Sequence, residues 1–187
     1  IWHQEIKDIL VLKNNKGTED NRVRKLDYSI QISKLFYERF IENKEISLFS
    51  PHNVPNLYES FGTDTFDSLY CQYESDSSIP RETVPAQELF LDLLKERAET
   101  GRIYIMNIDH CNEHSSFKDQ IHMSNLCQEI TLPTYPISHI DDHLGEISLC
   151  ILSAINVGRL NKLDDLEDLC DLAAVSYTHL RAHETVH

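Results

Sequence analysis

Asn125, Cys127 and Glu129 occupy alternate positions of one pentapeptide, Asn125-Leu126-Cys127-Gln128-Glu129. An amide can hold a hydroxyl by a fixed hydrogen bond, and a carboxylate can take that hydroxyl's proton. A sulfur can carry a redox or radical step. In an extended segment, side chains at i, i+2 and i+4 point to one face, so the spacing predicts that the three groups converge on one small substrate. A second thiol, Cys150, lies downstream in the apolar run Ile147-Ser148-Leu149-Cys150-Ile151-Leu152. It could work with Cys127 if the two segments border one pocket. Both cysteines also fit a purely structural reading, because unpaired cysteine is among the most buried residue types.

Other polar clusters have simpler readings. Asp109-His110-Cys111-Asn112-Glu113-His114 has the residue types of a metal site. Zinc would need ligands at defined spacing from a second cluster, and His122, His139 and His143 form no such pattern. A polar loop end after a strand is expected there. Asp141-Asp142-His143 reads as a solvated turn. The run Asp164-Asp165…Glu167-Asp168 falls in the first turns of an expected helix, where the helix dipole favours negative charge. No glycine-rich phosphate loop is present.

The elements that must position these groups follow from hydrophobic period. The first half reads as helical. Residues 2–12 carry a stripe of Ile6, Ile9, Leu10 and Val11, closed by Asn14-Asn15-Lys16-Gly17. Residues 21–41 place Leu26, Ile30, Ile32, Leu35, Phe36 and Phe40 near a helical repeat. Pro51 and Pro55 suggest short helices after each, and Phe66, Leu69, Tyr70 and Tyr73 make another stripe. Pro85, then Leu89, Phe90, Leu93 and Leu94, then Gly101, predict a helix with both ends marked.

The second half changes character. Residues 102–108 and 146–155 are short and nearly continuous in apolar residues, as strands covered on both faces would be. The long segment between them has no sustained period, which inside a domain usually marks function, and it carries the pentapeptide. A final helix is expected over residues 162–174, after Asn161 as cap.

Composition limits the function classes. The 187 residues suit one domain. With Lys plus Arg at 17 against Asp plus Glu at 31, the net charge is −14, which argues against a nucleic-acid binder. No apolar run approaches the roughly 20 residues needed to span a bilayer. Five scattered cysteines without a Cys-x-x-Cys pair indicate a reduced, cytoplasmic protein. The opening Ile1-Trp2-His3 lacks an initiator Met, so an inner piece of a longer polypeptide is expected. Residues 175–187 break the preceding amphipathic pattern and resemble the translation of a sequencing adapter; they are expected to be a non-native tail.

A set of ordered motifs goes beyond these readings. Leu12-Lys13-Asn14-Asn15, Asn21-Arg22-Val23-Arg24-Lys25-Leu26-Asp27-Tyr28, Leu48-Phe49-Ser50-Pro51 with Val54-Pro55, and Thr100-Gly101-Arg102-Ile103-Tyr104 come first. Asp109-His110-Cys111-Asn112, Ser124-Asn125-Leu126-Cys127 and Gly145-Glu146-Ile147-Ser148-Leu149-Cys150 follow. Together they resemble the catalytic large subunit of class I ribonucleotide reductases, of bacterial or phage type, over residues 1–174.

The resemblance implies an α/β fold: part of a ten-stranded α/β barrel, with a helical first half, and a finger loop and barrel strands in the second half. It implies reduction of ribonucleoside diphosphates to deoxyribonucleoside diphosphates. Cys127 matches the cysteine that becomes a thiyl radical and Glu129 the acceptor of the 3′-hydroxyl proton. Asn125 matches the amide that binds the ribose hydroxyls. Cys150 matches one member of the reducing pair, its partner lying upstream of Ile1; Cys71, Cys111 and Cys170 do not match that partner. No cofactor is expected within this stretch, which should be inactive alone. The complete enzyme would need a radical from a metal-containing small subunit, ATP and deoxynucleotide effectors, thioredoxin or glutaredoxin, and a second large subunit. Two rival readings are a non-enzymatic helical interaction module, with Cys127 in its core, and a relative of the anaerobic glycyl-radical reductases. The pairing of Glu129 with Cys127 and Cys150 favours the class I type.

Overall fold

Parallel pairing of β1 (Ser29–Ile32) with β4 (Tyr104–Asn107) supports the segment that carries the pentapeptide. The computed structural model describes residues 1–148, apart from Asn15, Gly17 and Arg24, and residues 153–184. Along β1 the side chains alternate, with Ile30 and Ile32 buried and Ser29 and Gln31 half-buried, the two-residue period of a strand. Ser33 then stops the strand. Its hydroxyl accepts the Phe36 N–H and caps α2 (Lys34–Ile41). Asp109 adds a second cap, its Oδ2 accepting the Lys34 N–H at 2.6 Å.

A second pair, β2 (Glu45–Phe49) and β3 (Arg81–Pro85), is antiparallel. Between these strands run a 3₁₀ turn (Pro51–Asn53), α3 (Leu57–Ser60) and α4 (Phe66–Ser75). Tyr70 ties α4 to β2, its buried hydroxyl accepting from Ser47 N and donating to Ser47 O, both at 2.7 Å. Helix α5 (Ala86–Thr100) follows Pro85 directly and ends at Gly101, whose φ of 64° favours a residue without Cβ. Helix α6 (Ile108–Glu113) continues β4. One hydrophobic core unites Trp2, Leu10, Ile32, Phe36, Phe49, Leu93, Met106 and Ile108.

The chain divides into two compact units, Ile1–Ser148 and Leu149–His187. The second contains a 3₁₀ turn (Val157–Arg159) and α7 (Asp165–Glu184). Among the described residues no helix is long and apolar enough to cross a membrane.

The fold is mixed α/β, but its strands are placed differently from the expectation. The first half is not all helix: β1, β2 and β3 all lie in it. The helix expected over residues 21–41 divides into β1 and α2, because Ile30 and Ile32 serve a strand's alternation while Leu35 and Phe36 serve a helix's stripe. The helix expected over residues 2–12 contracts to α1 (Ile6–Leu10). Residues 109–113 are helical rather than a polar loop end. The last helix starts at Asp165 rather than Lys162 and runs past Ala174 to Glu184. Of the strand expected over residues 146–155, Glu146 makes one antiparallel bridge with Tyr135; residues 149–152, with Cys150, lie outside the described residues. The sheets seen among the described residues are two-stranded.

Candidate functional site

The pentapeptide sits on a short hairpin loop. An antiparallel bridge between Ser124 and Thr131 closes it, so Asn125, Cys127 and Glu129 do not lie along an extended strand as their spacing predicted. The chain turns at Leu126–Gln128, and Gln128 adopts a left-handed φ of 67°. Local polar groups account for the turn. The Gln128 backbone N–H and its Nε2 both donate to the Asn125 carbonyl, at 3.2 and 2.9 Å. Two donors of Gln128 thus converge on one carbonyl, and the loop folds back where an alternating strand would have run on.

Asn125 acts inside this loop. Its Oδ1 accepts the Ile130 N–H at 3.0 Å, and its own N–H donates to the Ile130 carbonyl at 3.3 Å. The Ser124 hydroxyl donates to that carbonyl at 2.6 Å. The side-chain carbonyl is thus committed to the fold, and the amide NH₂ is the end available for a ligand. Cys127 is an exposed free thiol at the tip. Glu129 is exposed.

Two clasps hold the loop's base. Asn112 of α6 pairs with the backbone of the buried Ile121, accepting its N–H at 2.8 Å and donating to its carbonyl at 3.0 Å. Gln31 of β1 donates to the His122 carbonyl at 2.6 Å. Nothing in the spacing of Gln31 and Asn112 revealed these roles, since each serves a backbone group about ninety or nine residues away. Gly62 makes room for the first clasp. A Cβ there would stand 2.5 Å from Ile108 Cγ1 and 2.9 Å from Asn112 Nδ2, at a φ of +86°. Gly62→Ala is expected to destabilise the chain by about 2–4 kcal/mol, from overpacking and left-handed backbone together. Urea unfolding measures this, and an unchanged midpoint would show that α6 gives way freely.

One side chain outside the pentapeptide reaches the thiol. The Cys127 S–H points to the Tyr104 hydroxyl with Sγ 3.7 Å from Oη. When the phenol O–H is the donor to the sulfur, that contact and the charge a thiolate would place there hold the Tyr104 phenol above its usual pKa, while Arg102 opposes the shift. The phenol therefore keeps its proton through the neutral range. An open polar cleft elsewhere, lined by Arg39, Lys44, Ser47, Cys71, Glu74 and Arg81, is a weaker candidate. Its central charges satisfy each other: Arg39 grips both Glu74 oxygens at 2.5 and 2.6 Å, and Ser47 donates to the same carboxylate.

The chain is similar to known proteins along most of its length. A family model described as the ribonucleotide reductase barrel domain matches residues 1–186. The ribonucleoside-diphosphate reductase subunit alpha of Haemophilus influenzae is 56% identical over 169 residues, covering 88% of this chain and 22% of that protein. The subunit alpha of the Escherichia coli reductase 1 is 53% identical over 143 residues, covering 74% of this chain and 19% of that protein. The subunit alpha of Enterobacteria phage T4 is 42% identical over 181 residues, covering 94% and 24%. The chain thus spans less than a quarter of the length of these relatives.

Proposed function

The chain belongs to the ribonucleotide reductase family, and on that premise we propose that it forms part of the catalytic barrel of an enzyme that reduces ribonucleoside diphosphates to 2′-deoxyribonucleoside diphosphates for DNA synthesis. The observation that carries this reading is the hairpin tip. It presents a free thiol, Cys127, on a loop whose base is anchored on both β1 and α6. A radical carrier needs this combination of an accessible sulfur and a fixed position.

In this reading Cys127, as a thiyl radical, takes the ribose 3′ hydrogen. Glu129 accepts the 3′-hydroxyl proton, and the Asn125 NH₂ holds the ribose hydroxyls. The 2′-hydroxyl leaves as water. Cys150 and a partner thiol upstream of Ile1 then supply two electrons and two protons and close to a disulfide, Cys127 returns the hydrogen atom to C3′ and is again the thiyl radical, and an external dithiol reopens the disulfide by exchange. The two strand pairs join a ten-stranded barrel in the whole enzyme, with the hairpin as the finger loop at its centre. The assignment covers residues 1–174 and leaves residues 175–187 outside. A metal-containing small subunit supplies the radical, thioredoxin or glutaredoxin the reducing power, and ATP and deoxynucleotides the control of a dimer of large subunits. We place the enzyme in the cytoplasm, where scattered cysteines stay reduced.

The test uses the complete large subunit assembled with its small subunit. Glu129→Gln keeps shape and removes a base, so deoxynucleotide formation should fall about 10²–10⁴-fold while ribonucleotide binding persists. Parent-like turnover in this variant would remove Glu129 from the chemistry. A complete parent protein that forms no deoxynucleotide at all would favour the interaction-module reading.

A further inference from the structure

We propose that Tyr104 is a positioning residue for Cys127: its hydroxyl fixes where the sulfur stands before substrate arrives. The proposal rests on the reading of Cys127 as the radical-bearing thiol. Three observations converge on this contact. The first is geometric, since the phenol oxygen lies 3.7 Å from Sγ and comes from a different element, β4, 23 residues away in sequence. An exposed thiol at the tip of a loop has few groups that can restrain it, and a phenol on a strand is a rigid one.

The second observation is how firmly Tyr104 itself is held. It opens β4, in register with Ser29 of β1, and its N–H donates to the Tyr28 carbonyl at 3.2 Å. Arg102 stands close enough to the phenol for its positive charge to favour the ionised form. Arg102 Nε in turn lies 3.9 Å from Asp27 Oδ1, and the same carboxylate oxygen pairs with the buried Lys13. A file of charges therefore runs from Lys13 through Asp27 and Arg102 to the phenol.

The third observation is backbone strain. Four non-glycine residues have left-handed φ among the described residues: Asn43, Asn56, Ile103 and Gln128. Asparagine visits this region readily. The other two directly adjoin the contact, Ile103 preceding Tyr104 and Gln128 following Cys127. Such a backbone is unfavourable for a residue with a Cβ and persists only where its surroundings over-determine it. Ile103 is buried, and its carbonyl accepts a hydrogen bond from Arg97. Gln128 is held by its double donation to Asn125. Both departures from ordinary backbone thus lie next to the two residues in contact, one beside the phenol and one beside the thiol.

As a positioning residue Tyr104 acts through the Cys127 sulfur and not on the ribose, so its loss should act on the rate and not on substrate affinity. In the complete enzyme with its small subunit, Tyr104→Phe removes only the hydroxyl. The expected result is a kcat at least tenfold lower, with KM for the ribonucleoside diphosphate within twofold of the parent. A kcat within twofold of the parent overturns the proposal. So does a KM that rises in step with the fall in kcat/KM at constant kcat, which would make the hydroxyl a substrate contact. Arg102→Gln keeps the tyrosine and loosens its holder. It should lower kcat less, again at constant KM, and an unchanged kcat in soluble Arg102→Gln overturns the proposal even if Tyr104→Phe fails to fold. Cys127→Ser run alongside separates the two levels. If Cys127→Ser still turns over, the thiol assignment itself falls; if it is inert and Tyr104→Phe is fully active, only the role of Tyr104 falls.

Discussion

Cys127→Ser in the complete reductase is expected to lower deoxynucleotide formation by more than about a thousandfold, the scale seen when one member of a catalytic unit is removed, with ribonucleotide binding nearly unchanged. Serine replaces sulfur with oxygen and alters volume little. An exposed side chain at a loop tip contributes little to packing, so the fold should be preserved. The chemistry should not be. An alcohol O–H bond is much stronger than a thiol S–H bond, and a serine cannot take the radical at a cost the enzyme can meet. The Tyr104 hydroxyl would still find an oxygen partner at this position, which helps keep the loop in place. Turnover assays and equilibrium binding of a ribonucleoside diphosphate together decide the matter. Turnover within tenfold of the parent would show that the radical is carried elsewhere.

Cys150→Ser should fail at a different step. The proposed role of Cys150 is to supply reducing equivalents after the 3′ hydrogen has been taken. In the complete enzyme this variant should therefore still release a 3′-tritium label from the substrate, while reduction stops and the substrate radical decomposes with loss of free base. Cys127→Ser should retain the label, because hydrogen abstraction never starts. The difference should be nearly all-or-none, since one change acts before the first bond is broken and the other after it. Full retention of label in both variants would mean that the two thiols do not have separate roles. Equal release from both would move the radical away from Cys127.

Much of the local structure was legible in the chain itself. Helix α5 is bounded by Pro85 and Gly101 because a fixed φ and a missing Cβ act on the backbone at those positions. Helix α4 follows from the stripe of Phe66 and Tyr70. The residue types of the pentapeptide, and the ordered motifs that place the chain in its family, are also one-dimensional facts. Periodicity misled where two elements abut: Ile30 and Ile32 belong to a strand and Leu35 and Phe36 to a helix, yet all four are apolar, and Ile32 stands three and four positions before Leu35 and Phe36, the spacing of a helical repeat.

The sequence by itself therefore determined which chemical groups are present, their order, and the elements whose ends are marked by backbone-restricting residues. Tertiary structure decided which groups meet. Strands β2 and β3 gain their hydrogen bonds from each other across 32 residues from Phe49 to Arg81 and 40 from Glu45 to Pro85, and no local preference could reveal a partner that distant. The same holds for the site. Cys127 meets Tyr104, Ile121 meets Asn112, and His122 meets Gln31 because separate elements pack on one core, and a side chain's partner is a property of that packing. The alternation of Asn125, Cys127 and Glu129 gave way to a turn for the same reason: two donors of Gln128 on one carbonyl, closed by the Ser124–Thr131 bridge, outweigh the preference of each residue for extended backbone.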